Sequence, residues 1–330
     1  MKKVAERVGN IGMIDGFGRT IDYLRISVTD RCNLRCVYCM KEEQQEFLPS
    51  GELLTLEEWV RLCKGAALAG IRKIRITGGE PLMRRDIVEL VQAISNIPGI
   101  EKVVMTSNAV HLAPLAEKLK KAGLSGVNVS IDSLDAKQYC RLTRRDVLSD
   151  ALAGLASCGK VGLPVKVNCV PVAGENEKEL LHLAELAKEY PMEVRFIEMM
   201  PIGEGSAFPT VKNETIRKRL EEVYGGFIQT EKDDREGPAV YYTNAHFKGR
   251  IGFISPVSRS FCHQCNRIRV TAEGKLKLCL HHPVDCDLQE LVRSGAEPEE
   301  IQKVLQERIL QKPRDGHTTD ESRPMWKIGG

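Results

Sequence analysis

The stretch from Cys32 to Cys39 has the sequence CNLRCVYC and places three thiols at the spacing C-x3-C-x2-C. Three thiolates on one short loop can hold a cubane iron–sulfur cluster, because cysteine is the usual ligand of its irons. The loop has no fourth thiolate, so one iron would keep a coordination position open, as catalytic metal sites do. A disulfide or a zinc knuckle is the alternative. The stretch therefore predicts a cluster with one open iron and a cavity in front of it.

The bulk composition is that of a soluble globular protein. The chain has 330 residues, of which 42% are hydrophobic and 28% charged, and no apolar run approaches the roughly 18 residues that span a bilayer. Lys2 and Lys3 are not followed by the hydrophobic segment of a signal peptide, so we expect a cytoplasmic location without membrane association. A net charge of +3 gives no argument for nucleic-acid binding. Eleven cysteines without an export signal favour metal binding and free thiols over disulfides.

Strands and helices alternate around the cysteine loop. Thr55 and Glu58 form a capping-box pattern that begins a helix ending near Ala69, and a second helix is expected from about Arg84 to Asn96. A glycine-rich lead-in at residues 13–19 suits either a flexible arm or a loop that covers the site. The predicted strands are 24–28, 73–77, 103–106, 127–131, 165–170 and 193–197. Six β/α units in series imply a parallel sheet.

The strands are polar on one face only. Period-two alternation places Lys73, Arg75 and Thr77 on one side and two isoleucines on the other. A flat sheet covered by helices on both sides would instead show nearly continuous apolar strands. The same one-sided polarity recurs for Arg25 and Ser27, for Asn128, Ser130 and Asp132, and for Lys166 and Asn168. We therefore predict an α/β fold with an incomplete, TIM-like (β/α)6 barrel at residues 1–200 and a C-terminal α+β extension at residues 201–330.

Several cations share the predicted inner face of this barrel. They would repel one another unless a polyanion neutralised them, and both arginine and lysine are suited to binding phosphate. The alternative is that each cation pairs with a carboxylate of the lumen, such as Asp132 or Glu80. The cations are Arg25, Lys73, Arg75 and Lys166. The set favours a phosphate-rich ligand.

The extension carries a second metal signature, C-x2-C-x13-C, formed by Cys262, Cys265 and Cys279. Spacing alone slightly favours structural zinc, which needs a fourth ligand. Arg267 and Arg269 follow on one face of a strand, which suggests an anion bound beside the metal and shifts the interpretation towards a second cubane. The candidate fourth ligands for zinc are Cys286, His263, His281 and His282.

The cysteine loop, Tyr38 and the segment Gly78-Gly79-Glu80-Pro81 together resemble the radical S-adenosylmethionine (SAM) superfamily. The resemblance implies that the open iron chelates the methionine part of SAM. Reductive cleavage then gives a 5′-deoxyadenosyl radical. The glycine segment would contact the amino group of the methionine part.

Residues 24–36, 74–86 and 262–269 and the terminal Gly329-Gly330 resemble one family in particular, the GTP 3′,8-cyclases of molybdenum cofactor biosynthesis. The resemblance implies SAM and two [4Fe–4S] clusters, the second of which contacts the guanine through its open iron. By motif position, GTP would be bound by Arg25, Lys73, Arg75, Thr106, Lys166, Arg267 and Arg269. SAM would be bound by Tyr38, Gly79, Ser130 and Met200. The implied metal ligands are Cys32, Cys36, Cys39, Cys262, Cys265 and Cys279.

The implied reaction is abstraction of the ribose 3′ hydrogen and attack of the carbon radical on guanine C8. Arg267, Arg269, Gly329 and Gly330 would act at the catalytic centre, and deleting the two glycines should abolish cyclisation while leaving both clusters intact. Expected partners are an electron donor of the flavodoxin or ferredoxin type, the downstream cyclic pyranopterin monophosphate synthase and a second copy of the chain in a homodimer. The alternatives are a peptide-modifying radical SAM enzyme and a non-catalytic zinc-binding regulator.

Overall fold

The computed structural model describes residues 12–44, 46–231, 237–316 and 324–329. A short hairpin of β1 (Met13–Ile14) and β2 (Thr20–Ile21) comes first, so the glycine-rich lead-in is folded. A 12-stranded sheet follows. Its strands are β3 (Tyr23–Ser27), β4 (Lys73–Thr77), β5 (Lys102–Ser107), β6 (Leu124–Ser130), β7 (Val165–Cys169), β8 (Glu193–Ile197), β9 (Ile228–Gln229), β10 (Val240–Thr243), β11 (Arg250–Ile254), β12 (Arg267–Val270), β13 (Lys275–Lys277) and β14 (Cys286–Asp287).

Helices connect the central strands. They are α1 (Leu56–Leu68), α2 (Ile87–Ser95), α3 (Ala116–Lys121), α4 (Ala136–Thr143), α5 (Leu148–Val161), α6 (Leu180–Glu189), α7 (Asn213–Tyr224), α8 (Gln289–Arg293), α9 (Pro298–Ile309) and α10 (Met325–Ile328). The predicted capping box of α1 is present, because the Thr55 side chain accepts from the Glu58 amide and the Glu58 carboxylate accepts from the Thr55 amide. Helix α2 begins later than predicted, at Ile87, because residues 81–83 form a 3₁₀ turn and Arg84 is extended.

The six predicted strands, β3 to β8, are confirmed as consecutive parallel neighbours. The extension adds strands at both edges: β11 pairs in parallel with β8, and β12 pairs in parallel with β3. The sheet does not close, since β14 and β9 are its two ends. The fold is therefore the predicted open barrel. Its division near residue 200 stays a prediction, because one sheet runs through both parts.

The two faces of the sheet differ as the alternation predicts. Leu24, Ile26, Ile74 and Ile76 are fully buried in the main hydrophobic cluster, which also contains Trp59 of α1. The opposite face carries the polar residues of the same strands. In the described residues no helix is both long and apolar enough to cross a membrane. The core thus lies between sheet and helices, and the polar face is left for the site.

Candidate active site

The first cysteine loop is held against helix α4. The Arg35 and Val37 amides donate to the carbonyls of Thr143 and Leu142, at 3.0 and 2.9 Å. All eleven cysteines lie in the described residues, and all are free of disulfides. The disulfide alternative is therefore not what this loop forms.

The loop thiols suit a metal centre. Burial and the nearby Glu80 raise the pKa of Cys32 to about 12. Burial and Cys32 raise the pKa of Cys39 to about 12 as well. Burial and the other two thiols also raise the pKa of Cys36. A cationic metal centre would stabilise the thiolates that burial and neighbouring negative charge otherwise disfavour. The three side chains therefore fit the predicted cluster.

The Gly78-Gly79 segment passes close to the chain that leads into the cysteine loop. A Cβ on Gly79 would lie 2.4 Å from the Arg31 carbonyl oxygen, and one on Gly78 would lie 2.7 Å from that of Thr29. The Gly79 amide donates to the Thr29 carbonyl at 2.7 Å. Glycine is therefore required here by close backbone approach.

The Glu80 side chain connects the Gly78-Gly79 segment to the end of β5. It is 1% exposed, and its carboxylate accepts from the Ser107 hydroxyl and the Asn108 amide, both at 2.8 Å. Burial raises its pKa to about 7. Glu80 thus joins the ends of β4 and β5 and is not paired with a lumen cation.

Other predicted SAM residues lie around the same loop. The Tyr38 hydroxyl donates to the Asp132 carboxylate at 2.5 Å. Ser130 ends β6, two residues before Asp132. Gly205 packs against both the Met200 and the Tyr38 carbonyl oxygens, at 2.9 and 3.5 Å from its ideal Cβ position. The structure thus brings Tyr38, Ser130 and Met200 to the carboxyl end of the sheet.

Three arginines form a row across adjacent strands. In the sheet register, Arg25 pairs with Arg75 on one side and with Arg269 on the other. Arg75 donates to the Thr106 hydroxyl at 3.0 Å and is also hydrogen-bonded to Tyr23. Burial and Arg269 lower the pKa of Arg25, and burial and Arg267 lower that of Arg269 to about 10. Such a row suits a negatively charged ligand, which would remove the repulsion among the three guanidinium groups.

The two lysines that were predicted to bind phosphate, Lys73 and Lys166, have different surroundings. Lys73 is half-buried, with its ammonium 4.8 Å from the centre of the Tyr23 ring. Lys166 lies 2.5 Å from the Glu193 carboxylate, which also accepts from Tyr241 at 2.6 Å. Carboxylate pairing, the alternative for these cations, is therefore observed for Lys166, but with Glu193 instead of Asp132 or Glu80.

Sequence reasoning missed Arg195 on β8. It is 6% exposed, lies opposite Asn168 in the register, and donates to the Asn168 side-chain oxygen at 2.8 Å. Its second terminal nitrogen is buried without a hydrogen-bond partner in the described part of the chain. The alternation of strand β8, with Glu193 and Arg195 on one face, was the signal that could have found it.

Pairing of β12 with β13 gathers the second cysteine group. Lys277 lies opposite Arg269, so Cys279, two residues on, is level with Arg267. Burial raises the pKa of Cys265, but Arg267 and Lys312 outweigh it and lower the value to about 7. A thiol that ionises near neutrality is a good metal ligand.

The zinc alternative fits this group less well. Cys286 packs against the main hydrophobic cluster, and the His282 ring is hydrogen-bonded to the Asp315 carbonyl at 3.1 Å. In the described ranges, the first cysteine group included, no three His, Cys, Asp or Glu side chains form a group that could hold one metal ion. Tetrahedral zinc needs ligands about 4 Å apart, since each Zn–S bond is about 2.3 Å, whereas a cubane spreads its thiolates over different irons.

Arg19, which the sequence did not single out, holds this segment in place. Its guanidinium donates to the carbonyls of Cys262, Pro313 and Arg314 at 2.8, 2.6 and 2.9 Å. Asp15 accepts from the same group at 2.6 Å. Through Arg19, the N-terminal hairpin therefore holds the second cysteine segment in place.

The C-terminal tail lies against the polar face of the sheet. Trp326 and Ile328 are 4% and 1% exposed, and the backbone of Trp326 lies close enough to the Cys39 thiol to oppose the rise in its pKa. Arg269 donates to the Gly329 carbonyl at 2.9 Å. A Cβ on Gly329, whose φ is 81°, would lie 2.6 Å from the Thr77 hydroxyl. The tail thus reaches from the first cysteine loop to the arginine row, while Gly330 lies outside the described residues.

Comparisons with known proteins agree with this geometry. The model of the radical SAM superfamily matches residues 26–187, and that of Molybdenum Cofactor Synthesis C matches residues 192–318. A GTP 3′,8-cyclase of Pelotomaculum thermopropionicum is 44% identical over 325 residues, and one of Alkaliphilus oremlandii is 45% identical over 328 residues. Each alignment covers 96% of this chain and 100% of the relative.

Among solved structures, Streptococcus suis SuiB bound to S-adenosylmethionine superposes with a TM-score of 0.60 at 16% identity, over 87% of this chain and 68% of that one. At this identity the likeness concerns the fold alone. The sequence relatives carry the assignment, because they match nearly end to end. The chain belongs to the GTP 3′,8-cyclase family of the radical SAM superfamily.

Proposed function

We propose that this protein converts GTP to (8S)-3′,8-cyclo-7,8-dihydroguanosine 5′-triphosphate by radical SAM chemistry, early in molybdenum cofactor biosynthesis. The observation that carries the proposal is the row of Arg25, Arg75 and Arg269 between the two cysteine groups. The relatives named GTP 3′,8-cyclase support it over the whole chain. A zinc-binding regulator has no use for such a row.

The first cysteine group would hold a [4Fe–4S] cluster, and Tyr38, Gly79, Ser130 and Met200 would hold SAM. Bound together, these groups supply a reactive carbon-centred radical. The chain's own part is to present the cofactor next to the substrate, because such a radical reacts with whatever lies nearest. Tyr38 is fixed for this by Asp132, and Gly79 by its contact with Arg31.

The second cysteine group would hold a second [4Fe–4S] cluster, with the guanine at its open iron. The lowered pKa of Cys265 and the other contacts of Cys286 and His282, two of the candidate fourth ligands for zinc, support this assignment. Arg267 and Arg269 would place the substrate beside the cluster.

The triphosphate would lie along the arginine row. Its ligands in this proposal are Arg25, Lys73, Arg75, Thr106, Lys166, Arg267 and Arg269, and the buried Arg195 joins them. Arg195 has an unpartnered nitrogen in a buried position, and leaving a buried charged donor unsatisfied costs free energy that a phosphate oxygen would recover. The Lys166–Glu193 ion pair would hold the lysine in position until the anion arrives.

The two terminal glycines, Gly329 and Gly330, would act at the catalytic centre as part of the C-terminal tail. Gly329 occupies one donor of Arg269, so the tail and the substrate would share that side chain, and the tail would orient it. A one-electron donor of the flavodoxin or ferredoxin type and the cyclic pyranopterin monophosphate synthase that accepts the product complete the proposal.

The test uses full-length protein reconstituted with iron and sulfide under anaerobic conditions. With SAM and a reductant, GTP should stimulate 5′-deoxyadenosine formation and yield the cyclised nucleotide, whereas ATP and peptides should not. Lys73→Met should raise the KM for GTP by tenfold or more without changing SAM binding. The exposed Lys303→Met serves as its control. Stimulation by a peptide and not by GTP would overturn the proposal in favour of a peptide-modifying enzyme.

A further inference from the structure

Lys312 is a buried lysine that none of the roles above uses. It is 2% exposed and lies between α9 and the C-terminal tail. Its ammonium donates to the Arg267 carbonyl at 2.8 Å and to the Leu278 carbonyl. Leu278 immediately precedes Cys279, and Arg267 follows Cys265 by two residues. One ammonium thus joins the two backbone segments that carry the second cysteine group.

The charge of Lys312 has no carboxylate partner in the described residues. Its hydrogen bonds go to two neutral carbonyls, whereas the neighbouring cation Arg19 is balanced by Asp15 at 2.6 Å. A buried charge without an opposite charge costs several kcal/mol by the usual order of magnitude. The compensating negative charge must therefore come from another group.

The groups that supply it are the cysteines. Burial lowers the pKa of Lys312, whereas Cys265 and Cys279 oppose that shift, and Arg19 and Arg267 add to it. Arg267 is a further cation beside this lysine, and an anionic centre at the two thiols would balance both charges. A thiolate-ligated iron–sulfur cluster is such a centre.

We propose that Lys312 is a positioning residue that provides the fixed counter-charge of the second iron–sulfur cluster and raises its reduction potential. This inference rests on the second cluster of the proposed function. Reduction adds a negative charge to the cluster, and a nearby fixed positive charge stabilises the reduced form more than the oxidised form. Net charge and hydrogen bonding around a cluster are the means by which a protein sets its potential.

The test compares Lys312→Met, Lys312→Gln and Lys312→Arg with the exposed Lys303→Met. All are made in full-length protein carrying Cys32→Ala, Cys36→Ala and Cys39→Ala, so that only the second cluster contributes to the spectrum. Iron and sulfide content gives the occupancy, and a redox titration followed by electron paramagnetic resonance gives the midpoint potential. The same titration on the wild-type holoenzyme checks the background.

Without the charge, we expect the ratio of reduced to oxidised cluster at a fixed potential to fall about tenfold, which is about 59 mV for a one-electron couple. A unit charge at about 10 Å in an effective dielectric of about 20 has an effect of this order. Lys312→Arg should restore the potential, and Lys303→Met should not change it. Lys312→Gln keeps donors for the two carbonyls without the charge, so it should shift the potential even if Lys312→Met loses the cluster.

A cluster with the wild-type potential in both neutral variants overturns the inference and leaves the second cluster standing. Reduced occupancy with an unchanged potential does the same, since it indicates a structural role alone. If the protein without the first three cysteines binds no iron–sulfur cluster, the second cluster and the inference fall together.

Discussion

Replacing Trp326 by alanine should release the C-terminal tail from the site. The indole is 4% exposed and packs edge-on against Phe47, with ring centres 5.8 Å apart. A buried tryptophan removes about 150–250 Å² from water, which is worth about 4–6 kcal/mol at about 25 cal/mol per Å². Measured losses for tryptophan to alanine in cores are about 3–5 kcal/mol. At the lower figure the docking constant of the tail falls about 150-fold, because 1.4 kcal/mol is a factor of ten.

Hydrogen exchange measures this loss directly. The amides of Lys327 and Gly329 donate to the carbonyls of Pro324 and Met325 at 3.0 and 3.1 Å, so a peptide covering the tail should exchange about two orders of magnitude faster in Trp326→Ala. The ratio of cyclised nucleotide to 5′-deoxyadenosine should fall in parallel, since the Gly329 contact with Arg269 is lost. The control is Lys327→Ala on the exposed side of the same helix. Unchanged tail protection in Trp326→Ala would refute the reasoning.

Three further predictions follow from single side chains. Gly79→Ala should weaken SAM binding at least tenfold, because the new Cβ would lie 2.4 Å from the Arg31 carbonyl oxygen. The control Gly159→Ala places its Cβ in open space and should bind SAM normally. Equal SAM affinities of the two variants would count against this prediction. Glu198→Gln should lower the free energy of unfolding in urea by about 3 kcal/mol, because hydrogen bonds to charged groups are worth about 1.5–3 kcal/mol each. The buried Glu198 carboxylate accepts four hydrogen bonds. A loss under about 1 kcal/mol would contradict this prediction. Burial raises the pKa of Glu193, but hydrogen bonds from its partners outweigh this and hold it below the ordinary 4.5. Its stabilisation is therefore present above that pH and lost as pH falls through the folded pKa, so the stability difference between wild type and Glu193→Gln should shrink below about pH 4.5; a difference that grows in acid would contradict it.

Local patterns predicted the central fold because they depend only on neighbouring residues. The alternation in β4, with Arg75 inward and Ile74 and Ile76 towards the helices, was sufficient to place its side chains. The capping box at Thr55 fixed the start of α1 in the same way. These features need no knowledge of what packs against them.

Long-range contacts could not be predicted in this manner. Arg19 reaches carbonyls about 240 and 290 residues along the chain, at Cys262, Pro313 and Arg314, with sequence separations of 243, 294 and 295. Lys312 and Gly329 likewise depend on where separate segments meet. The sequence did not single out Glu193 as the partner of Lys166 for the same reason, because only the pairing of strands β7 and β8 brings the two side chains together.

The pairing of β12 with β3 determines how the two cysteine groups relate. Because the strands are parallel, Cys265 lies before β12 at the amino end of the sheet, and Cys32 follows β3 at the carboxyl end. The four residue steps of β3 separate these ends by about 13 Å, at about 3.3 Å a step, and Arg25 and Arg269 lie between them. An extended nucleoside triphosphate can contact both ends at once, but a free base cannot. A slip of one residue in this pairing would turn Arg269 to the helix side, so the register of β12 on β3 is what places Arg269 on the same face as Arg25, between the two cysteine groups.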